Sequence, residues 1–269
     1  RTLKIFTNLP PCIFTAHGWS FAANVSPLRN FIYLSLERIM SFGTSILITI
    51  CKSDYNLALQ NRLITKKKIR LIHNGMPFLE ETKREIKAID YKYKLISVAR
   101  FENQKDHKTL VKALSLIKNF SWELFLVGDG PLKKEIEKLV KYYQMEDRIF
   151  FLGMRNDISY LLNQSDIFIL SSLWEGFPRS ILEALRASMP VITSRVGGVE
   201  ESVINQYNGL IIPVKDEKCM SEGIKELLIN PSKCFSFGIN GRKMYEEKFV
   251  FDLMAEKTSN IYLELIQRQ

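Results

Sequence analysis

Glu175-Gly176-Phe177-Pro178-Arg179-Ser180-Ile181-Leu182-Glu183 is the stretch whose reading decides the fold. The apolar run Asp166-Ile167-Phe168-Ile169-Leu170 precedes it and reads as a buried strand. Ala184-Leu185-Arg186-Ala187-Ser188-Met189 continues it as a helix until Pro190. The nine residues are therefore a strand-to-helix crossing, with Glu175 in the turn and Pro178 at the first helical position. Glu183 falls about two turns further in, roughly 8–10 Å along the axis. Between the two carboxylates the helix start offers unpaired N–H groups and a positive dipole end, which suit a phosphate. An anion site flanked by carboxylates that accept hydrogen bonds from hydroxyls matches the shape of a nucleotide sugar. Taken alone, the same two residues also read as a solvated loop Glu and a helix Glu in a salt bridge.

Outward from this crossing the chain alternates strands and helices. Strands are expected at 94–99, 122–127, 149–153, 191–194 and 209–213, and helices at 106–116, 132–143, 157–163, 216–229, 232–246 and within 249–266. A helix is also expected to begin at Val199. This alternation predicts a doubly wound parallel α/β sheet. Upstream, Pro11–Ala16, Ser45–Ile50 and Ile69–Pro77 read as strands, Arg1–Phe6 as the end of a helix, and 78–93 as a polar linker. Ser53 is expected to cap a helix from Asp54 to about Asn61, ahead of a solvated Lys66-Lys67-Lys68 loop.

Pro27–Phe42 is an amphipathic helix with a broad apolar face, read first as core packing. Arg29, Arg38, Phe31 and Tyr33 also allow an interfacial helix on a membrane. Trp19 and Phe21 divide evenly between lining a site and packing. His73 shows no partner in the sequence and reads as structural.

The 269 residues are enough for real cores. Cys12, Cys51, Cys219 and Cys234 show no paired spacing, which argues against a zinc site or disulfide framework and for a reducing cytoplasm. No apolar run is long enough to span a bilayer. The net charge of +9 is uneven: residues 1–92 carry 14 Lys/Arg against 6 Asp/Glu, while the remainder is nearly balanced. A basic first piece points to an anionic partner. Without a zinc, RRM-like or helix-turn-helix signature, nucleic acid fits less well than lipid head groups or a diphosphate-lipid acceptor.

Trp174 through Pro178, Glu183 and Pro190–Glu201 together resemble the retaining GT-B glycosyltransferases of family four. The resemblance extends through Leu126-Val127-Gly128-Asp129-Gly130-Pro131-Leu132 and Val98-Ala99-Arg100-Phe101-Glu102-Asn103-Gln104-Lys105, and covers most of residues 70–265. Thr15-Ala16-His17-Gly18-Trp19-Ser20-Phe21 adds a weaker likeness to members that extend polyprenyl-diphosphate-linked sugars. The resemblance implies an α/β GT-B fold of two Rossmann-like domains. They are expected at 1–92, incomplete and with its linker, and at 93–250, with 251–269 crossing back as a helix. Fewer strands precede residue 75 than such enzymes have, so the chain is expected to be an N-terminally truncated part of a longer protein.

The resemblance also implies roles. Arg100 and Lys105 neutralise the leaving diphosphate, with helix-start N–H groups at Arg179 and Ser180. Glu183 binds the ribose hydroxyls. Glu175, with backbone near Gly176 and Phe177, holds the donor sugar, and His17 lies near the reacting carbon. Gly128 and Gly130 let backbone approach the donor or merely make the turn, and Met154 and Arg155 lie where similar enzymes hold the base. The implied activity is sugar transfer with retention from a UDP-sugar to a saccharide or lipid-linked acceptor in surface polysaccharide assembly. No metal or other cofactor is expected, and the membrane is touched peripherally through 1–92. Two other readings remain open: a remnant that only binds nucleotide, and a UDP-sugar 2-epimerase-like enzyme.

Overall fold

The computed structural model describes residues 10–22, 26–80, 84–88 and 91–267. The helix end expected at Arg1–Phe6 lies outside them. The described chain divides into two compact units. The first holds residues up to Pro77, Glu175–Phe177 and the segment from Phe249 on; the second holds Phe78–Trp174 and Pro178–Lys248.

In the first unit β1 (Ile13–Ala16), β2 (Ile46–Thr49) and β3 (Ile69–Leu71) form a parallel sheet in the order β1-β2-β3. β2 is buried along its whole length, as its unbroken apolar run requires. One side of this sheet packs Trp19, Phe21, Ala58 and Leu63. Trp19 and Phe21 stack at 5.4 Å, and Trp19 Nε1 donates to the Asp54 carbonyl at 2.9 Å; both are core residues. On the other side Ile261 joins Ile46, Ile48 and Ile72. Helix α1 (Pro27–Ser41) buries none of its residues, contrary to the core-packing expectation; Tyr33 and Leu34 lean on the core half-buried. Helix α2 (Lys52–Gln60) begins two residues before the expected position. Cys51, not Ser53, is its cap, with Sγ accepting from Asp54 N.

The second unit is a six-stranded parallel sheet ordered β6-β5-β4-β7-β8-β9. Its strands are β4 (Tyr93–Val98), β5 (Trp122–Val127), β6 (Ile149–Gly153), β7 (Ile167–Leu170), β8 (Val191–Ser194) and β9 (Gly209–Ile212). Helices α3 (His107–Ser115), α4 (Lys133–Tyr142), α5 (Ile158–Asn163), α6 (Arg179–Arg186), α7 (Glu217–Ile229) and α8 (Pro231–Lys248) follow the strands, and α9 (Phe251–Ile266) belongs to the first unit. The core includes Leu95, Leu110, Trp122, Leu124, Ile192 and Ile224. Strand order reverses between β4 and β7, and ligands of open α/β sheets collect outside the carboxyl ends of the strands at such a switch point.

Three details differ from expectation. Pro178 is the residue before α6, with φ −70° and ψ 118°, not its first helical residue. The helix ends at Arg186, before Pro190, because Ser188 turns left-handed at φ 54°. Val199–Glu201 makes only a single 3₁₀ turn. Described residues of the stretch expected to be a polar linker pack on the second unit. Arg84 is held by the carbonyls of Ala187, Ser165 and Leu162 at 2.7, 2.6 and 2.9 Å, and Arg242 donates to the Leu79 carbonyl at 2.8 Å. Composition does not reveal which carbonyls a cation such as Arg84 will meet.

Candidate functional site

The carboxyl ends of β4, β5 and β6 open onto a cavity of about 650 Å³. Val98, Ala99 and Arg100 line it from β4, and Val127 to Gly130 from β5. Met154, Arg155 and Ile158 line it beyond β6, and Glu183 from α6. Gly128 has φ 135°, and a Cβ there would sit 2.2 Å from the Ala99 carbonyl oxygen. Gly130 has φ 157°, and its Cβ would come within 2.6 Å of the Phe101 carbonyl oxygen. Only glycine permits both the backbone conformation and this approach. The two loops are thereby fused: Ala99 N bonds Val127 O, and Phe101 N bonds Asp129 O, each at 3.0 Å.

Arg100 is exposed, and its guanidinium contacts the Glu102 carboxylate at 2.8 Å. Arg155 is paired with Asp157 through two hydrogen bonds of 2.8 and 2.6 Å, which hold its planar fork in one orientation. Glu183 is largely enclosed. Burial raises its pKa above the ordinary glutamate value, and Arg186 and Arg179 pull it back. An enclosed carboxylate of raised pKa gains most from ligand hydroxyls that donate to it.

Three residues missed by the sequence reading support the cavity wall. Gln104 Nε2 donates to the Trp174 carbonyl at 2.8 Å, and Leu173 N returns a bond to the Gln104 carbonyl at 2.7 Å. Ser171 Oγ lies 2.9 Å from the Lys105 carbonyl and 3.0 Å from that of Asp106. The loops after β4 and β7 are so stitched across the switch point. His107 stacks on Phe101 at 4.4 Å, and burial, with the charge of Lys105, holds its imidazole down to about 4. A polar residue opening an amphipathic helix is an ordinary pattern, so the sequence carried no signal for His107.

Of the residues expected in the site, Arg100, Gly128, Gly130, Met154, Arg155 and Glu183 meet at this one cavity. Lys105, Arg179 and Ser180 do not line it. Lys105 ends a 3₁₀ turn and Arg179 and Ser180 open α6. His17, Glu175, Gly176 and Phe177 belong to the first unit. There a Cβ on Gly176 would approach the His17 carbonyl oxygen to 3.3 Å. Phe177 packs against His73 at 4.9 Å and Phe249 at 5.4 Å, and its carbonyl accepts from Asn74 at 3.3 Å. His73 is thus part of an aromatic cluster. Among the described residues no group of three or more His, Cys, Asp or Glu is placed to hold a metal ion.

Residues 79–244 match the family model described as glycosyl transferases group 1. Over 291 aligned positions the chain is 28% identical to the UDP-Gal:alpha-D-GlcNAc-diphosphoundecaprenol alpha-1,3-galactosyltransferase of Escherichia coli, covering 99% of this chain and 72% of that protein. It is 32% identical over 201 positions to the O-antigen biosynthesis glycosyltransferase WbnH of Escherichia coli, covering 75% of this chain and 56% of that protein. A crystal structure of the Anabaena protein HepE in complex with UDP and glucose superposes with a TM-score of 0.82 at 20% identity, covering 94% of this chain and 71% of that one. At that identity the likeness establishes the fold, which is GT-B.

Proposed function

The chain belongs to the glycosyl transferases group 1 family, and on that premise we propose that it takes part in sugar transfer from a UDP-sugar, with retention at the anomeric carbon, to a polyprenyl-diphosphate-linked saccharide acceptor in surface polysaccharide assembly. One observation carries the reading: Arg100, Gly128, Gly130, Met154, Arg155 and Glu183, scattered over more than eighty positions of sequence, converge on one cavity at the carboxyl ends of parallel strands.

In this reading Glu183 accepts hydrogen bonds from both ribose hydroxyls. Gly128 and Gly130 let the loops after β4 and β5 close on each other, which sets the backbone that the nucleoside lies against, and Met154 and Arg155 border the base. The diphosphate faces Arg100, whose fork matches two phosphate oxygens. Lys105 and the first N–H groups of α6, at Arg179 and Ser180, add positive potential where charge develops on the leaving group. In many enzymes preorganised charge of this kind accounts for most of the rate enhancement. Glu175, with the Gly176 and Phe177 backbone, positions the sugar, and His17 approaches the reacting carbon. No nucleophile is assigned: a covalent carboxylate route needs two carboxyl groups about 5 Å apart across the scissile bond. The lipid-linked acceptor and the basic first ninety residues agree with work at the inner face of a membrane, and among the described residues no helix is long and apolar enough to cross one. The matched relatives are longer than this chain, and the complete transfer reaction is proposed for the protein that contains all of their length.

Calorimetric titration with UDP and GDP, with and without Mg²⁺, tests the site. The expected outcome is metal-independent UDP binding that Glu183→Ala weakens. Equal affinity in the variant would sink the ribose assignment.

A further inference from the structure

A second cavity, of about 240 Å³, lies at the opposite end of the six-stranded sheet, by the amino ends of β4 and β7. Tyr93 and Lys94 line it from β4, Asp166 from just before β7, and Cys234 from α8. Its floor is tied by backbone. Asp166 N donates to the Lys94 carbonyl at 2.7 Å, and Lys94 N donates to Asp166 Oδ2 at 2.8 Å. Arg84, clamped by its three carbonyls, forms part of the wall. All of these residues belong to the second unit, and none was expected in a site from the sequence.

One group in this wall is left over. Tyr93 is 1% exposed, and its hydroxyl is buried with no hydrogen-bond partner among the described residues. A buried hydroxyl left unpaired bears the full cost of its lost hydration. Burial also raises its pKa, so it stays a protonated donor. Burial pushes the Cys234 thiol up to about 12, so at neutral pH the cavity presents no thiolate.

The lining selects the class of ligand. Three cations, Arg84, Lys87 and Lys94, stand with two carboxylates, Glu85 and Asp166, and Lys87 Nζ pairs with Asp166 at 3.7 Å. A simple anion or cation meets repulsion here as well as attraction. A neutral molecule rich in hydroxyls meets every group: a hydroxyl donates to a carboxylate and accepts from a cation or a phenol. Burial raises the Asp166 pKa, and such a carboxylate gains from hydroxyls that donate to it. Asn163 and Gln164 add amides that donate and accept. Tyr91, edge-on to Tyr93 at 5.4 Å, adds ring surface for C–H groups. The volume of about 240 Å³ equals roughly eight waters at ~30 Å³ each. That is room for one six-membered sugar ring and less than a nucleotide needs.

We propose that this cavity binds one neutral pyranose ring, with the Tyr93 hydroxyl donating to one ring substituent and the Asp166 carboxylate accepting from another. A free monosaccharide and the end of a glycan chain present the same hydroxyls. The inference stands on this cavity and is independent of the transfer reaction and of the nucleotide site.

The test is saturation-transfer NMR of the whole chain with methyl α-glucopyranoside and with maltotriose, each with and without excess UDP. Binding that survives UDP is expected. Tyr93→Phe deletes only the hydroxyl and should weaken it at least about tenfold, and Gln164→Ala, at an exposed position, about threefold. UDP affinity should match wild type in both variants. Binding of the monosaccharide supports a pocket for free sugar, and binding of maltotriose alone supports one for a glycan end. Binding of neither sugar, or equal binding by Tyr93→Phe, overturns the proposal. So does tighter binding of inorganic phosphate that Tyr93→Phe removes, because the occupant is then an ion. A lower melting temperature in Tyr93→Phe together with no sugar binding also overturns it and assigns the hydroxyl to a trapped water. UDP titration of the same samples keeps the two sites apart: sugar binding that depends on Tyr93, without UDP binding, removes the nucleotide site and keeps this one.

Discussion

Helices α1 and α6 are both amphipathic, and the molecule uses them in opposite ways. α6 buries Ile181, Leu182, Ala184 and Leu185, together with Arg186. α1 buries nothing and turns its apolar stripe to the outside. The difference extends to the units that carry them. The second has six strands, a dense core and a cavity whose loops are bonded to each other. The first has three strands among its described residues and most of the chain's excess positive charge. Hydrophobic periodicity says that a helix has an apolar face; tertiary packing decides which side of the helix meets its own unit.

The largest effect expected is at the fused loops. Gly128→Ala places a Cβ 2.2 Å from a backbone carbonyl at φ 135°, and should cost at least about 3 kcal/mol of unfolding free energy in urea titrations. The matched change on α1, Leu36→Ser, should stay within about 0.5 kcal/mol. A comparable loss in both would break the contrast between the two regions.

Next comes pH. His107 is buried neutral with its pKa depressed to about 4, so the unfolded chain binds the extra proton first as the medium is acidified. The stability it allows is complete above the unfolded imidazole value near 6.5 and is lost as pH falls toward 4, by roughly 3 kcal/mol at most. Thermal melts between pH 7 and 4.5 should show this loss, and His107→Gln should flatten it. A slope unchanged in the variant would assign the acid sensitivity elsewhere. Glu183 has the opposite sign: its pKa is raised, so its contribution to stability falls as pH rises through the folded value.

That sign sharpens a third expectation. Glu183→Gln removes a charge that burial disfavours, so the melting temperature at pH 7 should rise. The amide cannot accept as strongly from two hydroxyls, so UDP affinity should fall about tenfold. A simultaneous fall of both quantities would make Glu183 a structural residue.

The smallest effect concerns Arg100. Its pair with Glu102 is exposed, so Glu102→Gln should change stability by under about 0.5 kcal/mol. UDP affinity, read by calorimetry, should rise a few-fold, because the guanidinium no longer leaves a carboxylate to reach phosphate. Weaker binding would mean that Glu102 orients Arg100 instead of competing for it.

Much of the second unit was legible in advance. Apolar runs such as Ile167-Phe168-Ile169-Leu170 became fully buried parallel strands, because a strand covered on both faces has no polar side to show. The Gly128-Asp129-Gly130 turn, Arg100 and Glu183 were found at strand ends and on the helix after β7, and resemblance to a known family supplied their roles. Less visible were Gln104, Ser171, His107 and Arg84, whose partners are backbone carbonyls or a ring brought together only by folding. A side chain that bonds backbone leaves no pairing pattern in sequence, since every residue has a carbonyl. Cys51 as the cap of α2 escaped for a related reason: Ser53 is the better capping residue, but the end of β2 fixes where the helix begins.

By itself the sequence determined the α/β class, the strand-to-helix crossing at 175–183 and the uneven charge, because periodicity, helix punctuation and composition are local. The tertiary structure alone decided which expected residues share the cavity, how the loops after β4 and β7 are tied, and that the stripe of α1 faces out. Those outcomes depend on strand order and on backbone atoms distant in the chain, and no local pattern encodes them.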